Sequence, residues 1–227
     1  MEIIEIRNLS KTYNPKTIPV HAVNQVNLTF KEGEFTAIVG ASGSGKTTLL
    51  NMIGGIDNPS EGEVCIASNN LTNMSETQKT KFRRDHIGFV FQSYNLLPVL
   101  TAIENVEFIM EMQGRPVKER HSRSKELLSA ICLSNRLHSR PGKLSGGQQQ
   151  RVAVARALAH KPKFVIADEP TANLDSRSTA DLLDIMVKLN EQEGITFIFS
   201  THDQRVVDRA RRVIVFEDGS VKEDYNK

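Results

Sequence analysis

The stretch Phe35-Thr-Ala-Ile-Val39-Gly40-Ala41-Ser42-Gly43-Ser44-Gly45-Lys46-Thr47-Thr48 decides the fold. An apolar run with no helical period leads into a loop that fits GxxxxGK[ST], and a helical pattern over Thr47–Met52 follows. Strand, glycine loop and helix, in that order, are the context this motif requires. Glycines let the loop wind round a phosphate and turn successive backbone N–H groups inward. The helix that starts there adds the positive end of its dipole. Lys46 brings a full charge to the outer phosphates, and the Thr47 hydroxyl is a ligand for Mg²⁺.

Working outward, three similar runs end in a polar residue: Ile87–Phe91 before Gln92, Phe164–Ala167 before Asp168, and Thr196–Phe199 before Ser200. Runs this short and apolar predict strands buried on both faces, the mark of a parallel sheet. Helical patterns lie between them. Ala102–Met112 opens with the capping box Thr101 and Glu104. Gln148–Ala159 sets Val152, Ala155, Leu158 and Ala159 on one face, and Ser178–Leu189 does so with Leu182, Ile185 and Leu189. Strands alternating with helices predict an α/β fold with right-handed crossovers. Two regions break the alternation. Short strands at Ile3–Arg7 and Val26–Phe30, with turn signals at Asn14-Pro15 and Glu32-Gly33, predict a small antiparallel sheet over residues 3–34. Residues 93–160 hold two or three helical patterns and no strand, so a helical insertion is expected there. Val213–Glu217, Asp218-Gly219 and Ser220–Glu223 read as a hairpin.

With 227 residues the chain is long enough for one large domain or two lobes around a sizeable core. Lys and Arg number 29 against 27 Asp and Glu, and a net charge of +2 calls for no nucleic-acid or lipid surface. Cys65 and Cys132 lie far apart with no CxxC, which predicts reduced, buried or partly buried thiols and no structural zinc. No run reaches the roughly 20 apolar residues that a membrane span needs. Met1–Lys11 carries acids where a secretory leader is positive, so the chain is expected to stay where it is made.

A bound nucleoside triphosphate needs a second metal anchor and a group that orients water. Asp168 and Glu169, at the end of a buried strand, offer both: Asp168 for the hydration shell of Mg²⁺ and Glu169 as general base. Gln92 and His202 stand at the ends of the two other runs. In an open α/β sheet ligands bind beyond the carboxyl ends of the strands, so Gly40, Gln92, Asp168, Glu169 and His202 are expected to converge. His21, His86, His121, His138 and His160 have no such placement and read as surface residues.

A second anion-binding start lies far along the chain. Leu144-Ser145-Gly146-Gly147-Gln148 opens a helix with Ser145 as N-cap and two glycines that leave the first N–H groups bare. It falls inside the helical insertion. If that insertion projects from the core, one chain cannot close both sites on one triphosphate. Two chains set head to tail can, and a C2 dimer does so twice.

The set as a whole resembles the ATP-binding subunit of ABC transporters, from about Ile3 to Glu223. By that resemblance Tyr13 stacks on adenine, Gly40–Thr48 is the Walker A loop, and Gln92 is the Q-loop residue that joins Thr47 and Asp168 around Mg²⁺. Phe164–Glu169 is the Walker B strand, with Glu169 and His202 catalytic. Ser145, Gly146, Gly147 and Gln148 form the signature, which acts with Asp175 of the D-loop on the partner chain's nucleotide. The implied fold is a single nucleotide-binding domain over residues 1–227: a RecA-like P-loop core with an antiparallel β subdomain (1–92 and 161–227) and an inserted α-helical subdomain (about 93–160).

Within the family, Arg84, Ile87–Pro98, Glu104-Asn105-Val106 and Ser145–Arg151 resemble the lipoprotein-releasing, macrolide-exporting, mechanotransmission branch, although Ala172 stands where that branch carries glycine. The resemblance implies ATP and Mg²⁺ as cofactors, a second copy and an integral membrane permease-type subunit as partners, no nucleic acid, and a cytoplasmic place on the inner face of the cell membrane. Part of Leu96–Leu100 is expected to form core and part to receive a helix of the membrane subunit, and Lys118–Lys125 reads as a solvated helix face. Two other outputs stay open: a relative acting on nucleic acid or ribosomes, and an ATP-gated module that couples a membrane partner to envelope machinery without moving a solute.

Overall fold

A computed structural model describes residues 1–227. The chain begins with β1 (Glu2–Tyr13), β2 (Val20–Lys31), β3 (Phe35–Val39), α1 (Lys46–Ile53), β4 (Glu61–Ile66) and β5 (Asn69–Asn70). Next come α2 (Glu76–His86), β6 (Ile87–Phe91), α3 (Ala102–Met112), α4 (Val117–Ala130) and α5 (Gly146–Leu158). It ends with β7 (Phe164–Asp168), α6 (Ser176–Glu193), β8 (Thr196–Thr201), α7 (Gln204–Arg209), β9 (Arg212–Glu217) and β10 (Ser220–Asn226).

Six strands form one sheet, ordered β10-β9-β3-β8-β7-β6, in which only β10 runs antiparallel to its neighbour. Side chains along a strand alternate between faces, and each face here has its own core. Phe35, Ala37, Val165, Ala167, Phe197 and Phe199 pack with Val152, Ala155 and Leu158 of α5 and Leu182, Met186 and Leu189 of α6. Ile38, Phe164, Ile166, Ile198 and Phe216 face the other way, onto Leu49, Leu50 and Ile53 of α1. Beyond α1 lies the second, antiparallel sheet, ordered β2-β1-β4-β5, which adds Ile4, Ile6, Val26, Leu28 and Phe30 to this core. The rings of Phe35 and Phe199 meet at 4.6 Å, and burying each contributes roughly 2–3 kcal/mol. Helices α3, α4 and α5 pack on one another, and α5 also rests on β6 and α6. No helix is long and apolar enough to cross a membrane.

The buried runs form strands as read, and the Asp218-Gly219 hairpin is present, with both residues at positive φ. Other elements depart from the sequence reading. β1 and β2 run well past Ile3–Arg7 and Val26–Phe30, through register shifts near Asn8 and Gln25, each at φ +48. Such bulges hide a long strand, because they break its alternation. α2 carries no apolar period, because Phe82 is the one large apolar residue in Glu-Thr-Gln-Lys-Thr-Lys-Phe-Arg-Arg-Asp-His, although Ser75 and Gln78 close a capping box at its start. Cys65 is partly buried as expected, but Cys132 is exposed, at φ +58 just past α4.

His160 corrects the surface assignment. Its ring is 4% exposed at the end of α5, and neither ring nitrogen finds a partner. Burial, helped by the charge of Arg115, lowers its pKa to about 4. An unfolded chain protonates this histidine below pH 6.5 while the folded one stays neutral, so stability falls as pH falls, down to about 4. We expect a loss of about 2 kcal/mol between pH 7 and pH 5 in urea unfolding, and a flatter profile for His160→Phe. Identical profiles would remove His160 as the cause.

Candidate nucleotide site

Parallel pairing brings four strand ends to one edge: Val39 pairs with Thr201, Asp168 with Ser200, and Phe91 with Asp168. From the end of β3 the loop Gly40–Gly45 enters α1. Gly45, at φ +102, starts that helix with no capping side chain, and its first turn holds no acid. Ser75, Thr101, Ser145, Asp175 and Asp203 cap α2, α3, α5, α6 and α7. The first N–H groups of α1 are therefore left for an external anion. Lys46, 7% exposed, donates from Nζ to the carbonyls of Gly40 (2.8 Å) and Ala41 (2.9 Å), which holds its charge over the loop. The β9–β10 hairpin braces the loop from behind. Gly219 N–H donates to the Ser44 carbonyl at 2.9 Å, and a Cβ on Gly40 would strike the Phe216 carbonyl.

The carboxylates sit opposite this loop. Thr47 Oγ1 donates to the Asp168 carboxylate, at 3.2 and 3.1 Å from its two oxygens. Glu169 follows β7 in a left-handed conformation, φ +46, with its N–H donating to the Ser200 carbonyl at 2.9 Å. That bend swings its side chain to His202, whose Nδ1 lies 2.8 Å from Oε1, while Oε2 accepts from the Thr201 hydroxyl at 3.4 Å. Asp203, next in the chain, is fixed in turn. Its hydrogen bonds to Arg205 hold its carboxyl down to about 2, and it accepts from the Thr171 hydroxyl at 2.9 Å. The segments carrying Glu169 and His202 are thus tied twice.

Lys46, Thr47, Glu169 and His202 border a cavity of about 620 Å³, with Asp168 set behind Thr47. Ser42, Gly43, Gly45, Lys46, Thr47, Thr48, Gln92, Glu169 and His202 form its walls, as the sequence predicts. Val20, His21, Ala22, Ala172 and Ser200 also line it and were not foreseen. Val20–Ala22 arrive from β2 in the other sheet, and no local signal in the sequence marks that approach. His21 is exposed as read, yet it is a wall of the site.

Gly40, Ala41, Ser44 and Asp168 adjoin this cavity without lining it, and other predicted residues lie farther from it. Tyr13 donates to Asp57 Oδ2 at 2.7 Å and carries Lys11 Nζ 4.9 Å over its ring; burial and Asp57 raise its phenol pKa, against the nearby Thr48 hydroxyl. Ser145–Gln148 and Asp175 are not among the walls. Ser145 caps α5 as expected, but the Gln148 side chain turns back on its own chain: Oε1 accepts from Ser145 N–H at 2.9 Å. Asp175 likewise caps α6, accepting from Ser178 N–H (2.9 Å) and Oγ (2.7 Å), and these bonds lower its pKa.

The protein presents no cluster of three His, Cys, Asp or Glu. Thr47, Asp168 and Gln92 offer a hydroxyl, a carboxylate and an amide oxygen around the phosphate loop. That all-oxygen set suits Mg²⁺, which keeps several waters and shares phosphate oxygens instead of entering an all-protein cage.

An α/β core with this loop, this carboxylate pair and a helical insertion is that of a P-loop nucleotidase cassette. A family model described as "ABC transporter" matches residues 23–172, and the chain belongs to that family. It is 45% identical over 221 residues to an ABC transporter ATP-binding protein of Thermotoga maritima, covering 97% of this chain and 94% of that one. It is also 45% identical to MJ0796 of Methanocaldococcus jannaschii, over 98% of this chain and 96% of that protein. The macrolide export ATP-binding/permease protein MacB of Hyphomonas neptunium is 44% identical over 98% of this chain, which spans 34% of MacB. Solved dimers of MJ0796, one described as a post-hydrolysis state bound to ADP and Pi, superpose with TM-scores of 0.90 over 99% of this chain, at 43% and 44% identity. The RecA-like ABC cassette fold expected from the sequence is therefore the fold observed.

Proposed function

We propose that this chain is the ATP-binding and ATP-hydrolysing subunit of an ABC transporter, closing as a head-to-tail dimer on two MgATP to drive a separate membrane subunit. One observation carries the reading. The cavity is lined by the phosphate loop, Glu169 and His202, with Asp168 hydrogen-bonded to its wall residue Thr47, while Ser145–Gly147 start a helix outside it, with no side chain capping the first two N–H groups. A second copy brings that helix start to the exposed side of the nucleotide, where it meets charge that one protomer leaves uncovered.

Lys46 and the first N–H groups of α1 hold the β- and γ-phosphates, and Tyr13 borders the adenine end. Thr47, Asp168 and Gln92 hold Mg²⁺, which when bound offsets charge on the phosphoryl oxygens. Glu169 accepts the proton of the attacking water, and His202 holds Glu169 and the γ-phosphate in line. Loss of the γ-phosphate removes the group that both protomers grip, and the dimer opens. We assign residues 93–160 to the helical subdomain and the rest to the β subdomain and core. On it Leu97, Val99, Phe108 and Met112 are exposed while Leu96 packs inward, which supports docking of a membrane-subunit helix there. The 44% identity to MacB supports an output of the lipoprotein- and macrolide-export mechanotransmission type, at the inner membrane face.

Complementation tests the shared site. Lys46→Ala and Ser145→Arg chains are each expected to be inactive. Mixed in equal amounts they form heterodimers with one intact composite site, so about a quarter of all sites return and ATPase activity appears. A mixture as silent as its components sinks the head-to-tail arrangement.

A further inference from the structure

Three loops with separate tasks in the reading above meet around one ring. Tyr94 lies two residues past Gln92, and it and Asn95 are both left-handed, at φ +54 and +51. Arg156 of α5 holds them there, donating to the carbonyls of Tyr94 (2.9 Å) and Asn95 (2.5 Å). The Tyr94 hydroxyl reaches the Asn173 carbonyl at 3.4 Å, and Asn173 Nδ2 donates back to the Gln92 carbonyl at 3.0 Å. The same hydroxyl lies over Gly146, where a Cβ would stand 2.8 Å from it. Gly147 is covered the same way by Ser178, whose hydroxyl holds Asp175. A side chain on Gly147 would press on Ser178, and one on Gly146 would have to displace the Tyr94 hydroxyl. Contacts without slack transmit a displacement instead of absorbing it.

We propose that Tyr94 is a positioning residue that couples the Gln92 loop to the signature: where Gln92 sits sets how Gly146 and Gly147 are presented to the partner's nucleotide. This rests on the head-to-tail dimer, so the test is built on Glu169→Gln, whose ATP-dependent dimer reports that reading directly. Added to it, Tyr94→Ala should leave binding of a fluorescent ATP analogue to the isolated protomer within about twofold, yet raise the ATP and protein needed for dimerisation by about tenfold or more. In the otherwise unaltered chain Tyr94→Ala should lower turnover about tenfold and raise the ATP concentration for half-maximal rate in step with that for dimerisation, and Tyr94→Phe, which removes the hydroxyl that reaches Asn173 and Gly146, should share most of this loss. Should the alanine variant lose its cooperative melt, Tyr94→Leu, which withdraws the ring tip from Gly146, must show the same split. Dimerisation and turnover unchanged in the alanine or leucine variant would overturn the proposal. A parallel loss of protomer affinity would do so too, because the ring would then support its own pocket. If the Glu169→Gln parent itself stays monomeric with ATP, the dimer reading falls and the coupling with it.

Discussion

Glu169→Gln should bind ATP, lose at least about a hundredfold in turnover, and accumulate as a dimer that elutes at twice the protomer mass only when ATP is present. The substitution keeps size and shape. Its amide oxygen still accepts a hydrogen bond where Oε1 meets His202 Nδ1 at 2.8 Å, so the loop and its φ +46 turn have no reason to move. What disappears is a group that accepts a proton from water. Phosphate binding lies elsewhere, on Lys46, Thr47 and the loop amides, and is untouched. A dimer that closes but cannot cut is therefore the expected product. Steady-state phosphate release and gel filtration with and without ATP check it. Hydrolysis at the unaltered rate would mean that some other group activates the water.

Gly45→Ala should cost about 3–5 kcal/mol and abolish nucleotide binding, while Gly43→Ala should cost about 1–2 kcal/mol and leave the fold intact. Both glycines have positive φ, +102 and +81, so both alanines carry backbone strain. They differ in what stands above them. A Cβ on Gly43 meets nothing within 4 Å, whereas one on Gly45 collides with the backbone carbonyl of Ala22. That carbonyl belongs to β2, which cannot retreat without breaking its pairing with β1. Gly45 is also the residue from which α1 starts, so a shift there re-aims the first N–H groups of the helix. Urea midpoints and equilibrium ATP binding separate the two variants. Equal stability would show that β2 yields easily and that the cradle is softer than its packing implies.

How far the site was readable in advance follows from the physics of each part. Gly40–Thr48, Asp168 and Glu169 were legible because the chemistry demands those residue types at the ends of buried strands, and a buried parallel strand is an unbroken apolar run. His202 was legible only by its place after such a run. Val20, His21 and Ala22 were not, since they reach the cavity through the pairing of one sheet and its packing on another. Gln148 has a local task as well. A side chain three residues after a serine N-cap serves the cap first, and the pattern Ser145-x-x-Gln148 announces this as clearly as Thr101-x-x-Glu104 does. His160 reads as a polar surface residue, because a sequence records neither the depth at which a helix ends nor the ring it buries there.

The hydrogen bond from Gly219 to Ser44 has a consequence for biosynthesis. The loop that grips phosphate is made early on the ribosome, yet its rear support arrives some 175 residues later, when Gly219 and Phe216 join the sheet. Until then the nascent chain has the letters of a nucleotide trap without its rigidity.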